Sequence, residues 1–243
     1  MPIIKTLLKA TKLEKEKFKI PKSVQDAIPI QRIWPDGIFQ VGSRFSKTFF
    51  FTDINYSIAS KEDKTAMFID YSELLNALDS GASAKITINN RKINKAEFEK
   101  SLLLPMKEDG LNHFRKEYNE MLLSKVTGTN NSVVQDRYIT ITVAKRNIDE
   151  ARTYFSRVGT DLITHLSQLS SIGRELDAGT RLQVFRDFFK GNEPAAFAFD
   201  LKEQMKKGHN FKDWLCPDSM EFQKDHFRLN DRWGRVLYLQ GYA

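Results

Sequence analysis

The chain has 243 residues, 41% hydrophobic and 28% charged, the balance of a soluble globular protein long enough for a full core. Cys216 is the only cysteine, which excludes an intrachain disulfide and a cysteine-built zinc site and favours a reducing, cytoplasmic compartment. The net charge of +7 suits an anionic partner, lipid or nucleic acid, while no apolar run approaches the roughly 20 residues that cross a bilayer.

Along the chain, Ile3, Ile4, Leu7 and Leu8 stand at helical spacing among Lys5, Lys9, Lys12, Lys15, Lys17, Lys19 and Lys22, which face only Glu14 and Glu16. This predicts a basic amphipathic arm over residues 1–22, ended at Lys19-Ile20-Pro21 because the residue before proline disfavours the helical region. With no continuous apolar segment behind the lysines, the arm does not read as a signal peptide. Its lysines are the candidate contacts for a membrane surface or a partner. Ile38–Val41 and Thr48–Phe51 read as a hairpin reversing near Gly42-Ser43-Arg44.

Ser60 and Asp63 make a helix-starting capping box, followed by Met67, Phe68, Tyr71, Leu74, Leu75 and Leu78 in one apolar stripe. Residues 84–90 alternate as a strand, and 94–104 and 110–125 read as helices around Pro105 and Gly110. A turn-rich break at 127–132 precedes a β-branched strand, Tyr138–Val143. Asn147 caps a long helix to about Leu169 with Ala151, Phe155, Val158, Leu162 and Leu166 on one face, and Gly159 weakens its middle. A short strand at Glu175-Leu176, a helix over 180–189, and strands at 220–223, 226–229 and 235–239 complete the pattern. The fold class is therefore α+β, with helices packed on antiparallel or mixed sheets. Strand, long helix, strand is a split β-α-β pattern of ferredoxin-like type. Two lobes, 23–127 and 133–243, fit this order, as does a single mixed sheet.

Chemistry-bearing motifs are few. Gly37 and Gly42 are spaced as in a phosphate-binding loop, but that loop needs a lysine where Ser43 stands, then Ser or Thr, and a following helix. The hairpin is the better reading. His113, His165, His209 and His226 lack the close spacing of a zinc pair, and no Gly-x-Ser-x-Gly presents a nucleophile. Cys216, between Leu215 and Pro217, reads as a partly buried thiol. No catalytic, cofactor-binding or metal residue is assigned. Arg228, Arg232, Trp233, Arg235, Tyr238 and Tyr242, and likewise Arg32, Trp34 and Arg44, interleave basic and aromatic side chains as nucleic-acid surfaces do, but alternation on strands gives the same pattern.

Four segments together resemble one family. They are Val24–Ala66 with Trp34-Pro-Asp-Gly, Asp53-Ile-Asn-Tyr and Glu62-Asp-Lys-Thr-Ala; Phe114-Arg-Lys-Glu-Tyr-Asn-Glu-Met-Leu122; Arg137-Tyr-Ile-Thr-Ile141; and Gly234-Arg-Val-Leu-Tyr-Leu-Gln-Gly-Tyr-Ala243. In order and spacing they are similar to the start of the large traffic ATPases of conjugation and type IV secretion systems, in the Gram-positive branch. The resemblance implies a non-catalytic N-terminal docking and assembly domain, linking a cytoplasmic motor to the membrane channel used for DNA transfer. It implies that the parent protein is an ATPase whose RecA-like motor follows Ala243. ATP and magnesium would belong to that motor, with no cofactor in this chain. The implied partners are membrane components of the conjugation channel, the chain's own motor domain and other subunits of the same protein, with anionic lipid as a further contact. Peripheral attachment to the inner face of the cell membrane is the implied location. A DNA-binding accessory domain of a conjugation apparatus is the alternative, and a free-standing enzyme with a spatially assembled site is a third reading.

Overall fold

A computed structural model describes residues 21–54, 56–92, 103–128, 133–191 and 210–239, with a few positions between 200 and 208. The elements in chain order are α1 (Val24–Ala27), β1 (Arg32–Ile33), β2 (Phe39–Val41), β3 (Arg44–Phe51), α2 (Lys61–Asn76), β4 (Ala82–Lys92), α3 (Asn112–Gly128) and β5 (Val133–Ala144). Then follow α4 (Ile148–Gln168), β6 (Gly173–Glu175), α5 (Ala178–Lys190), α6 (Lys212–Leu215), β7 (Met220–Phe222), β8 (Phe227–Leu229) and β9 (Arg232–Gly234). The chain divides into a large unit, Ile30–Pro217, and a small one made of its two ends, Met1–Pro29 with Asp218–Ala243. The fold is α+β.

In the large unit one six-stranded sheet has the order β1-β2-β3-β5-β4, with β6 also on β3. Every pairing in it is antiparallel. Since β5 and β6 are both antiparallel to β3, they are parallel to each other with β3 between them and α4 connecting them. This is the split β-α-β arrangement that the strand–helix–strand order predicts. The division expected at 128–132 falls inside this sheet. Those residues stand between β4 and β5, and β4 pairs with β5 from Ala82↔Val143 to Lys92↔Val133.

The helices start where polar caps predict. Ser60 Oγ accepts the Asp63 amide at 3.1 Å, Asn147 Oδ1 accepts that of Glu150 at 2.9 Å, and Asp177 Oδ1 accepts that of Thr180 at 2.7 Å. Because Asp177 is the cap, α5 begins two residues before the start at Thr180 that the pattern suggests. Register then sorts the sheet's faces. Phe45 and Phe49 on β3 are paired with Val143 and Ile139 on β5, so these side chains share one face. That face packs against Ala151, Phe155, Val158, Leu162 and Leu166 of α4 and Leu74 of α2, all buried in one cluster. Each such fully buried apolar side chain contributes about 1.5–3 kcal/mol relative to exposure.

Lys47 lies on the same face, opposite Ile141, yet is 7% exposed. It is tolerated because its Nζ reaches Glu175 Oε2 of β6 at 2.5 Å. Gly159 of α4 passes directly over this pair, and the helix continues through it without a break. The opposite face carries Ser46, Thr48, Tyr138 and Thr140 and is covered by α5, where Phe185 stacks on Phe39 at 6.1 Å and Arg181 bonds Ser46.

In the small unit, β7, β8 and β9 form an antiparallel meander. Asn230, with φ +51°, makes the two-residue turn Asn230-Asp231 between Leu229 and Arg232. That tight return moves the third strand forward. The strand expected over 235–239 is instead Arg232–Gly234, because β8 offers only three partners and they are used up at Phe227↔Gly234. Residues 236–239 are exposed. The arm over 1–20 and the helix predicted over 94–104, as far as residue 102, lie outside the described residues.

Candidate docking surface

The segment that imitates a phosphate-binding loop is a hairpin. Phe39–Val41 is strand β2, Gly42 and Ser43 make the turn, and β3 follows where a phosphate loop requires a helix. Gly37 owes its identity to packing. Its φ is +77°, and a Cβ there would stand 1.9 Å from the carbonyl oxygen of Leu176.

The predicted contact lysines fall almost wholly outside the described residues. Only Lys22 is described, and it is exposed. Among the described residues no three His, Cys, Asp or Glu side chains stand close enough to hold a metal ion, and His209 is not described. His165 hydrogen-bonds Gln168, and His226 pairs with Asp225 at 2.8 Å and lies against the Trp233 ring. Cys216 is buried, and burial pushes its thiol pKa up, away from the nucleophilic thiolate.

The interleaved basic and aromatic residues separate. Trp34 packs on Phe45 with ring centroids 5.9 Å apart and belongs to the core's edge, while Arg32 and Arg44 face solvent. On the small unit's hairpin, Trp233 is 67% exposed beneath the Arg228 guanidinium at 5.6 Å, and Arg228 also pairs with Glu221. Tyr238 is exposed and Tyr242 lies outside the described residues.

The unexpected surface is apolar. The stripe predicted along α2 is wider than the core can use. Met67, Leu74 and Leu78 turn inward, whereas Phe68, Tyr71 and Leu75, offset by about 70° around the helix, face solvent. Helix α3 repeats the pattern with Phe114, Tyr118 and Met121, spaced i, i+4, i+7 and all exposed. It is clipped to the preceding loop at Asn119, which donates to the Leu104 carbonyl oxygen at 3.0 Å and accepts its amide at 2.9 Å. A second clip joins Arg115 to Asp109, whose carboxyl the guanidinium lowers to about 2. Ile86 and Ile88 of β4, on the core-side face by register with Ile139 and Arg137, are also exposed. β4 is the sheet's end strand, eleven residues long, with one strand neighbour among the described residues.

Such surfaces mark contacts with other molecules more often than they occur on isolated monomers. Sequence periodicity locates the α2 stripe and misses that on α3, and spacing alone does not show how wide a face the neighbouring elements cover. No protein-family model matches the chain, and no curated protein sequence matches it. Among the described residues no helix is long and apolar enough to cross a membrane.

Proposed function

We propose that this chain is a non-catalytic docking and assembly domain of a conjugation or type IV secretion traffic ATPase, joining its cytoplasmic motor to membrane components of the channel. The observation that carries the reading is the two outward apolar stripes, Phe68-Tyr71-Leu75 on α2 and Phe114-Tyr118-Met121 on α3, together with the long end strand β4. They supply what docking requires and a self-sufficient enzyme does not: apolar area with no partner among the described residues.

Photo-crosslinking from positions 68 and 118 in cells bearing a transfer apparatus tests the reading. Adducts with a membrane component are expected, with none from the exposed α4 position Asp161. Equal yields from all three positions, or no adduct, refute it. Calorimetry on the purified chain tests the non-catalytic half, where micromolar ATP binding would contradict it.

A DNA-binding accessory domain has its own supporting observation, the exposed Trp233 held against Arg228 on a hairpin that also carries Arg232 and Arg235. That reading requires affinity for DNA that falls steeply with salt and drops on Trp233→Ala.

A further inference from the structure

Behind the sheet, on the face away from α4, α5 roofs a cavity of about 380 Å³. We propose that this cavity binds a small organic anion with an apolar body, such as an aryl or alkyl carboxylate or sulfonate. Four observations converge on that chemistry, none of them shared with the docking stripes.

First, the two walls differ in kind. The helix side presents Val184, Phe185, Phe188 and Phe189 with Leu176 beside them. The sheet side presents Thr48, Thr87, Thr140 and Asn89. A molecule that fills the space must be apolar along one flank and accept hydrogen bonds on the other.

Second, the charge of the lining is one-sided. It includes Arg181 and Lys85 and no carboxylate. A neighbouring cavity that shares Tyr138 shows the contrast, for there Arg91 and Arg174 stand with Asp136 and Asp187.

Third, Arg181 is a buried cation without a counter-ion among the described residues. It is 4% exposed, and its guanidinium donates to the carbonyl oxygens of Gly37 at 2.9 Å and Ser46 at 2.6 Å and to Ser46 Oγ at 2.8 Å. All three acceptors are neutral, and Nε has no partner. The ring of Phe39, 4.1 Å from the guanidinium carbon, spreads the charge but does not neutralise it. Burying such a group is unfavourable unless an anion joins it. Burial pulls its pKa down to about 9, which leaves it charged at neutral pH.

Fourth, a hydroxyl hydrogen is left over. Thr48 Oγ1 and Thr140 Oγ1 are 2.9 Å apart and share one hydrogen bond, so one of the two O–H groups still has its hydrogen to donate. One buried cation and this donor suit a singly charged head group, with Lys85 at the exposed margin raising local anion concentration.

The test uses the full chain and two fluorescent probes of nearly equal shape, 8-anilinonaphthalene-1-sulfonate and the uncharged N-phenyl-1-naphthylamine. The sulfonate is expected to bind at one saturable site and to shift the amide resonances of Thr87 and Thr140. Lys85→Glu, at a solvent-facing position, should weaken the sulfonate by about fivefold or more, the scale of one partly screened charge reversal. It should change the uncharged probe by less than about twofold. Arg181→Met should abolish sulfonate binding and spare the neutral probe. If circular dichroism shows Arg181→Met unfolded, Lys85→Glu and the amide shifts decide alone. Unsaturable binding, an unchanged sulfonate affinity in Lys85→Glu, equal losses for both probes, or shifts centred on Phe68 and Phe114 would overturn the assignment.

Discussion

Gly159 sits where two opposing effects can be weighed. In an exposed helix interior, glycine to alanine is favourable by about 1 kcal/mol, because alanine has less backbone entropy to lose. Here an added Cβ would stand 3.1 and 3.3 Å from the Phe49 ring and 2.6 Å from Glu175 Oε1. The ring is 0% exposed and held between β5 and α4, so it cannot step aside without moving the core. Overpacking of this kind costs about 1–3 kcal/mol. Glu175 can rotate, being 40% exposed, but doing so breaks the 2.5 Å contact that partners the buried Lys47. Solvent at Glu175 screens that loss, so it adds little beyond the steric term. Gly159→Ala should therefore be destabilising by about 1 kcal/mol net, or about 2–4 °C in the thermal midpoint of a domain this size. Circular dichroism melts of the two proteins measure it. In a double variant, Phe49→Leu should recover part of the loss by removing the ring edge. A midpoint equal to or above that of the parent would refute the close packing of α4 on β3.

Burial, aided by Asp136, pushes the Tyr138 phenol up to about 12 against an unfolded value near 10. The fold favours the neutral phenol, so this contribution is complete below pH 10 and is lost as pH rises through 12. An ultraviolet titration should show a late-ionising tyrosine that disappears in Tyr138→Phe. Asn119→Ala removes both hydrogen bonds to Leu104 and should destabilise the α3 junction by about 1–2 kcal/mol, seen as faster amide exchange at Leu104 with little change in α4. The full chain should bind anionic vesicles in low salt and a version starting at Ser23 should not, since each lysine near such a surface is worth roughly 1 kcal/mol. Equal binding by both would show the arm lysines to be bystanders.

Local rules read much of this fold correctly. Ser60 and Asn147 announce their helices because short polar side chains satisfy the first free amides, whatever lies further along the chain. The α4 face, Ala151 to Leu166, is legible because its neighbours bury the whole stripe. Where the partner decides, the reading stops. Lys47 looks like a solvent-facing residue among phenylalanines, and only the arrival of Glu175, 128 residues later, makes its inward position tenable. Arg181 gives no local sign that it will be enclosed, since its acceptors come from Gly37 and Ser46. The turn-rich break at 127–132 resembles a linker for the same reason: composition reports a turn-rich stretch, and pairing register reports that β4, before α3, and β5, after the break, join one sheet.

The position of β3 between two strands from the far end of the unit also constrains the order of assembly during synthesis. Its hairpin with β2 can form as soon as Arg44–Phe51 leaves the ribosome, but Thr48 meets Thr140 only 92 residues later, and Glu175 must follow before Lys47 has its partner. Contacts this distant in sequence slow folding, because loop closure precedes any compensating interaction. A nascent chain stalled before residue 173 would hold half of the edge of β3 unpaired and a charged amine beneath an incomplete helix layer. For roughly ten seconds of translation, at about 5–20 residues per second, a strand carrying Phe45, Phe49, Phe50 and Phe51 is therefore dependent on chaperone protection.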